Sequence, residues 1–535
     1  MLLDRSVYAP GTQGYRRLTG ICRAPCTRME PEHLDVLIVG AGLSGVGAAC
    51  HLQAEAPGKS FAILESRARL GGTWDLFRYP GIRSDSDMFT LGYDFKPWTA
   101  AKAIADGDSI LDYIAATARE HGVEQAIRFN HRVVRAEWSS ADARWTVTAR
   151  RTDGSDADPG DGELVTLTCD FLFGCTGYYR YDEGYSPRFE GSERFRGELI
   201  HPQHWPEGFD YSGKRVVVIG SGATAVTLVP SMAERAAHVT MLQRSPSYVL
   251  SLPAKDPIAD LLRRVLPAKA AYPIVRWKNV FLSSLVFQLS RRAPRFMKKL
   301  IRGGVARQLP EGYAVDTHFA PTYDPWDQRL CLVPNGDLFR SIREGRASVV
   351  TDRIETFTER GIRLASGAEL EADVIVTATG LNLLLLGGMS IAVDGREVEL
   401  SKTVGYKGMM FSGIPNLAVT IGYTNASWTL KGDLAAHYLC RLLNHMSANG
   451  YRRVEPLAPD PTRPTEPFID LRSGYVLRSI DELPRQGERA PWRLHQNYVL
   501  DVALLKRGAI EDEALRFTRG GEAAAAAAPP AQAVA

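Results

Sequence analysis

Residues 34–45 read LDVLIVGAGLSG. Leu34–Gly40 is a short apolar run of strand type, and it breaks into Gly40-Ala41-Gly42-Leu43-Ser44-Gly45. The residues that follow, VGAACHLQ, have helix character. Strand, glycine turn and helix in that order predict a βα unit that cradles a pyrophosphate. Gly40 permits the tight turn, Gly42 lets the backbone approach the phosphates, and Gly45 allows close helix–strand packing. Ser44 lies in the same turn, at the helix N-terminus that faces the phosphates. The next strand, SFAILE, ends at Glu65, 20 residues past Gly45. A carboxylate there accepts hydrogen bonds from a ribose 2′-OH.

A second copy lies 180 residues on. KRVVVI (214–219) leads into Gly220-Ser221-Gly222-Ala223-Thr224-Ala225, then a helix, then the strand HVTMLQ. This strand ends in Arg244-Ser245, not in an acid. An arginine there suits a 2′-phosphate and removes the carboxylate that would repel it. The first site therefore fits FAD and the second NADPH. Two further strands, DFLFGCTGYY (170–179) and ADVIVTATGLN (372–382), end in matching Thr-Gly turns. They frame an NADPH domain inserted into a split FAD domain. The expected fold is α/β, with two Rossmann-like dinucleotide-binding domains and a mostly helical insert.

Two longer motifs bring in a family. FRGELIHPQHWP (195–206) matches the pattern F-x-G-x-x-x-H-x-x-x-W-P at Phe195, Gly197, His201 and Trp205. GGTWDLFRYPGIRSD (71–85) matches G-G-x-W-x-x-x-x-Y-P-G-x-x-x-D. With both, the chain resembles the class B flavoprotein monooxygenases of Baeyer–Villiger type. YDPWDQRLCLVPNGDLFR and GYTNASWTLK look most like the ethionamide-activating branch. The resemblance covers nearly all of 29–519. It implies reduction of FAD by NADPH, formation of a C4a-peroxyflavin from O2, and insertion of one oxygen into a ketone to give an ester. It also implies oxygenation of sulfur in thioamides and thioethers.

The resemblance assigns residues too. Arg329 matches the active-site arginine, whose permanent charge would hold the anionic peroxide and adduct in a water-poor site. Asp85 matches the carboxylate that orients it. Thr73, Trp74 and Asp85 fall in the flavin-binding motif, and Tyr79-Pro80 packs against the flavin or shapes the pocket. Phe195, Gly197, His201 and Trp205 couple NADP position to domain movement. Asn425, Ser427 and Trp428 open a helix that either aims its N-terminus at the flavin or is simply capped. Many relatives carry a Lys before the active-site arginine; here Gln328 stands there, so NADPH preference rests on Arg244 and some NADH is tolerated.

The implied layout is 29–182 and 378–519 for the FAD domain and 183–377 for linker and NADPH domain, with a helical insert at 246–328. Residues 1–28 read as a disordered arm or a misassigned start, and 520–535 as a low-complexity tail. The seven cysteines form no redox pair, which counts against a disulfide reductase, and Cys22 and Cys26 have no His or second Cys pair nearby, so no metal is expected. The expected compartment is cytoplasmic, with peripheral membrane contact as a further option. Trp205 and Asp85 count against an N- or S-hydroxylating flavin monooxygenase. A redox-sensing or membrane-scaffolding flavoprotein is the non-enzymatic alternative.

The net charge of +3 argues against a nucleic-acid partner. It conceals a segregated block. Residues 261–310 hold twelve basic and no acidic side chains, leaving 52 basic against 61 acidic elsewhere. Between the basic clusters lies NVFLSSLVFQLS (279–290), too short to span a bilayer. The block reads as a solvated surface packed on itself or as a contact with anionic membrane. NADPH steering and a protein partner are lesser alternatives, and oligomerisation is left open.

Overall fold

The computed structural model describes residues 31–152 and 162–519. The expectations for 1–28 and for the tail from 520 lie outside the described residues. Strand β1 (Glu32–Val39) continues through the glycine turn into helix α1 (Leu43–Glu55) and then β2 (Phe61–Leu64). β1 runs parallel to β2 on one side and to β3 (Glu163–Gly174) on the other, with Val36 opposite both Phe61 and Phe171. A central parallel strand is covered on both faces, which is why 36–39 is an unbroken apolar run. Val36 and Ile38 enter one core with α1, while Leu37 and Val39 enter the core on the opposite face.

The nine-stranded sheet built on β1 recruits strands from far along the chain. Ser390–Val393 pairs with His131–Ser139, and Leu417–Val419 pairs with the end of β3. Between these contributions lies a second, five-stranded sheet. It contains β4 (Arg215–Ile219), β5 (His238–Gln243) and β6 (Val374–Thr377), all parallel. Helix α2 (Ala223–Met232) follows the second glycine turn. Val216 and Val218 pack towards α2, and Val217 and Ile219 towards an antiparallel three-stranded sheet of residues 354–371. Immediately after the two Thr-Gly turns, Tyr179–Gly184 pairs antiparallel with Leu381–Leu383 and joins the two units.

Two segments differ from their sequence reading. The Phe195–Pro206 stretch was expected as a linker, yet Glu198–Ile200 is an edge strand of the second sheet, parallel to β6. Its backbone groups are satisfied by β6, which an open linker could not offer. The insert is helical as expected: α3 (Pro257–Val265), α4 (Ala268–Arg292) and α5 (Pro294–Ala306). However, α4 buries Tyr272 and Val275 in the core of the first unit, not the second.

Nor is the basic block a uniform cationic surface. Arg276 of α4 is buried, donating to Phe89 O, Gly92 O and Asp433 Oδ2. Lys278, Arg291, Lys298 and Arg302 pair with Asp256, Asp327, Asp324 and Asp316. Arg263 donates to the carbonyls of Trp98 and Ala100. Carboxylates from outside the block thus neutralise five of its twelve charges.

Asp433 sits on α6 (Trp428–Asn449), which packs against α1. It also receives the N–H of Asp94 and faces His51 Nε2 at 3.4 Å. His51 Nδ1 and His437 Nδ1 share Glu55 Oε1, at 3.0 and 2.6 Å. Burial alone would drive His51 towards its neutral form, but bonds to Asp433 and Glu55, with Asp94 nearby, hold its pKa up at about 10. Burial would raise Glu55, but His437 and His51 hold it down at about 2. Two triads that share His51, one with Glu55 and His437 and one with Asp94 and Asp433, each bring their ligand-type atoms within metal-binding reach. An imidazolium held protonated this firmly is a poor metal ligand.

The cluster makes stability depend on pH. The His51 contribution is complete below 6.5, its unfolded value, and is lost as pH rises towards 10. The Glu55 contribution is complete above 4.5 and is lost as pH falls towards 2. Thermal-unfolding midpoints measured from pH 6.5 to 10 are therefore expected to fall more steeply for the unaltered protein than for His51→Gln. Parallel curves would remove His51 from this role.

Candidate functional site

The first glycine of each turn is held in a conformation that side chains resist. Gly40 has φ +104°, and a Cβ on it would stand 2.6 Å from Cys175 O. Gly220 has φ +140°, and its Cβ would stand 2.3 Å from Ala378 O. Cys175-Thr176-Gly177 and Ala378-Thr379-Gly380 are the two Thr-Gly turns. Each turn therefore backs one glycine motif, and only a residue without a side chain lets strand and turn meet so closely. Gly45 serves the same packing within the first motif, since its Cβ would collide with Gly40 O. It is not in the cavity wall, so it supports the expected cofactor site from behind.

Both motifs open into one cavity of about 1730 Å³. Gly40, Gly42 and Ser44 line it from the first unit, and Gly220, Ser221, Gly222, Ala223 and Thr224 from the second. Glu65, Thr73, Trp74 and Asp85 also reach it, as do Arg244, Ser245, Gln328 and Arg329. The two glycine cradles, each before a helix N-terminus, fit the phosphates of two dinucleotides. Glu65 is buried and takes the N–H groups of Ala41 (2.7 Å) and Arg67 (2.9 Å). Its burial raises its pKa against the pull of those bonds. Through those bonds it fixes the turn. Arg244 follows β5 and is exposed at the cavity rim, whereas Ser221 Oγ braces the same loop through Ser245 O and Ser247 Oγ.

Arg329 and Asp85 meet, with Nε to Oδ2 at 2.9 Å. Each is about 30% exposed, and both line the cavity. The adjacent Asp85 charge, outweighing burial, holds the guanidinium's pKa above its already high ordinary value. Its positive charge is therefore permanent.

The sequence reading missed the tyrosines around this pair. Tyr178, Tyr179 and Tyr475 line the cavity along with Arg329. Tyr178 and Tyr179 share a hydroxyl contact of 3.2 Å, and burial raises both pKa values. Tyr178 stacks on Trp428, with centroids 5.0 Å apart and 16° between planes. Trp428 Nε1 in turn donates to Ser44 Oγ at 2.9 Å. Contacts thus run from the first glycine turn through Trp428 to Tyr178, which lines the same cavity as Arg329. The position of Tyr178-Tyr179 directly after Thr176-Gly177 was the available signal.

The helix-start residues divide. Trp428 lines the cavity; Ser427 does not cap the helix with its side chain but bonds Thr90 Oγ1 at 2.6 Å. Asn425 donates to Gln496 O and lies outside the cavity wall, which removes it from direct contact there.

The fingerprint residues also stand away from the cavity wall. Phe195 packs edge-on against Phe357, and Trp205 packs against Phe209 and Tyr211. Gly197 is required because a Cβ would stand 2.4 Å from Asp373 O. His201 Nδ1 accepts the Gln203 N–H, and its ring presses on Gly184, at the strand pair joining the units. Burial lowers its pKa, which favours neutral imidazole.

Residues 94–404 match the family described as flavin-binding monooxygenase-like, and residues 38–100 match an NAD(P)-binding Rossmann-like domain. The FAD-containing monooxygenase EthA of Mycobacterium tuberculosis is 59% identical, over 91% of this chain and 98% of its own length. An oxidised steroid monooxygenase bound to NADP superimposes with a TM-score of 0.70, covering 91% of this chain and 100% of that one, at 20% identity. Cyclohexanone monooxygenase in an open form gives 0.67, over 79% of this chain and 90% of that one, also at 20%. These two structures share the fold.

The glycine cradle can be tested directly. Gly40→Ala is expected to lower the urea-unfolding free energy by roughly 1–3 kcal/mol, because the left-handed backbone and the Cys175 carbonyl both oppose a side chain. Gly58→Ala, with open space around it, is expected to change little.

Proposed function

The chain belongs to the flavin-binding monooxygenase-like family, and we propose that within it this protein is an FAD- and NADPH-dependent Baeyer–Villiger monooxygenase. Its reaction converts a ketone, O2, NADPH and a proton into an ester, NADP⁺ and water. Thioamides and thioethers are further substrates, oxygenated on sulfur. The observation that carries this reading is the Arg329–Asp85 pair in the wall of a cavity shared by both glycine turns.

The first glycine turn, Glu65, Thr73 and Trp74 would hold FAD, and Gly220–Thr224 with Arg244 and Ser245 would hold NADPH. When bound, the flavin supplies the redox chemistry that activates O2 with electrons from NADPH. Arg329 presents a fixed positive charge to the oxygen atoms that become negative as the new C–O bond forms. In a site walled by Tyr178, Tyr179 and Tyr475 that charge acts at low dielectric, where it stabilises far more than in water. Asp85 holds the Nε edge and so fixes the direction in which the guanidinium points. Lysine would be the poorer choice, since burial could strip its proton. The start of α6 at Trp428 adds partial positive charge to the same wall.

His201 would act between the units, and not on substrate. It bears on the Gly184–Leu381 strand pair, through which a shift of one unit reaches the other. With Gln328 in place of a lysine, selection for NADPH over NADH falls to Arg244.

Arg329→Ala is expected to leave flavin reduction by NADPH within a few-fold of normal and to lower ester formation by about 10²–10³-fold. Stopped-flow reduction and mass spectrometry of products from a ketone panel under ¹⁸O2 measure the two. A normal rate of labelled ester would overturn the assignment. Arg244→Ala is expected to raise KM for NADPH by about tenfold or more while leaving KM for NADH nearly unchanged, as read in steady-state kinetics.

A further inference from the structure

Thirteen of the seventeen large apolar side chains exposed among the described residues fall in two places, the α3–α5 insert and residues 499–500. α3 contributes Ile258, Leu261 and Val265; α5 contributes Phe296 and Leu300. The densest row is on α4. Ile274, Trp277, Phe281, Leu285 and Leu289 follow one another at three- and four-residue steps, so they share a face about 22 Å long. Phe281 and Leu285 are 58% and 55% exposed. The opposite face of α4 is anchored by Tyr272, Val275 and the buried Arg276, so this helix cannot roll to hide the row.

The charges are sorted as well. Arg264, Lys269, Arg292, Arg295, Lys299 and Arg307 are exposed and form no ion pair among the described residues. Arg264 and Lys269 stand before the apolar row, and the other four after it. Soluble monomers seldom expose apolar surface on this scale without a use for it. An apolar centre with unpaired cations at both ends is the arrangement of a helix lying in a bilayer interface, its side chains among the acyl chains and its cations on anionic headgroups. No described helix is long and apolar enough to cross a membrane, so contact would be from one side.

We infer that the α3–α5 face docks peripherally on an anionic lipid surface. A second copy of the chain is the weaker occupant. A two-fold contact would set these cations against their own copies, with no acidic residue in 261–310 to offset them. The inference does not depend on the reaction proposed above, since it concerns a face outside the cavity wall.

The test uses the full-length flavin-loaded protein and co-sedimentation with vesicles of phosphatidylcholine alone or mixed with phosphatidylglycerol. Binding to the mixed vesicles is expected to be at least about tenfold tighter and to weaken as salt is raised. A variant with Arg292→Glu, Arg295→Glu and Lys299→Glu should lose that preference. A second variant with Phe281→Ser, Leu285→Ser and Leu289→Ser should lose binding to both vesicle types. Both should oxidise NADPH at the normal rate, since none of these residues lines the cavity. Absence of binding by the unaltered protein, equal binding by the variants, or indifference to salt would each overturn the inference. So would light scattering showing an oligomer that the serine variant dissolves while vesicles capture nothing.

Discussion

Two carbonyl groups, Cys175 O and Ala378 O, come so close to Gly40 and Gly220 that no side chain could stand between them. Much else depends on this approach. It lets β3 lie directly beside β1, and β6 beside β4, right up to the turn. The helix after each turn then starts at the cavity edge, with its N–H groups unpaired by the helix itself. The same two carbonyls precede the Thr-Gly turns, after which the chain enters the strand pair that joins the units. One steric requirement, applied twice, therefore sets both cradles and aims them into a common space.

Between the cradles the wall is held by aromatic packing and few, well-partnered polar groups. Ser44 receives Trp428, Trp428 stacks on Tyr178, and Tyr178 and Tyr179 line the same cavity as Arg329. These rings border a half-buried guanidinium that is paired on one edge, with Asp85. A charge left partly unpaired costs stability in such surroundings, and active sites are where that cost is tolerated. Elsewhere the protein does the reverse. Arg276 makes four buried hydrogen bonds, and His51, His437, Glu55, Asp94 and Asp433 partner one another. That network ties the insert to α1 and α6, which explains why α4 can present an apolar row outwards without moving.

Much of this was legible in residue order. The glycine turns, the strand ending at Glu65 and the Arg244 that replaces an acid are local features, fixed by backbone sterics and by the charge of the neighbouring residue. Arg329 and Asp85 are 244 positions apart, and only family resemblance joined them before their 2.9 Å contact was seen. Tyr475 carried no local signal, because nothing near it in sequence marks it as a neighbour of Tyr178. The fingerprint segment was read as a linker because three residues of edge strand leave no periodicity to detect. Asn425 was drawn into the site by its place before a helix, yet its side chain turns to Gln496.

The basic block shows where residue order stops informing. The sequence alone determined that residues 261–310 hold twelve cations, no anions and a helix-forming apolar centre, because composition and period are properties of the chain. Only the tertiary structure decided which cations remain free. Asp256, Asp316, Asp324, Asp327 and Asp433 lie outside the block in sequence and fold onto it, and each cancels a charge that counting had assigned to the surface. Ion pairing depends on distance in space, which for Arg276 and Asp433 falls within 4 Å across 157 positions, and no pattern along the chain encodes it.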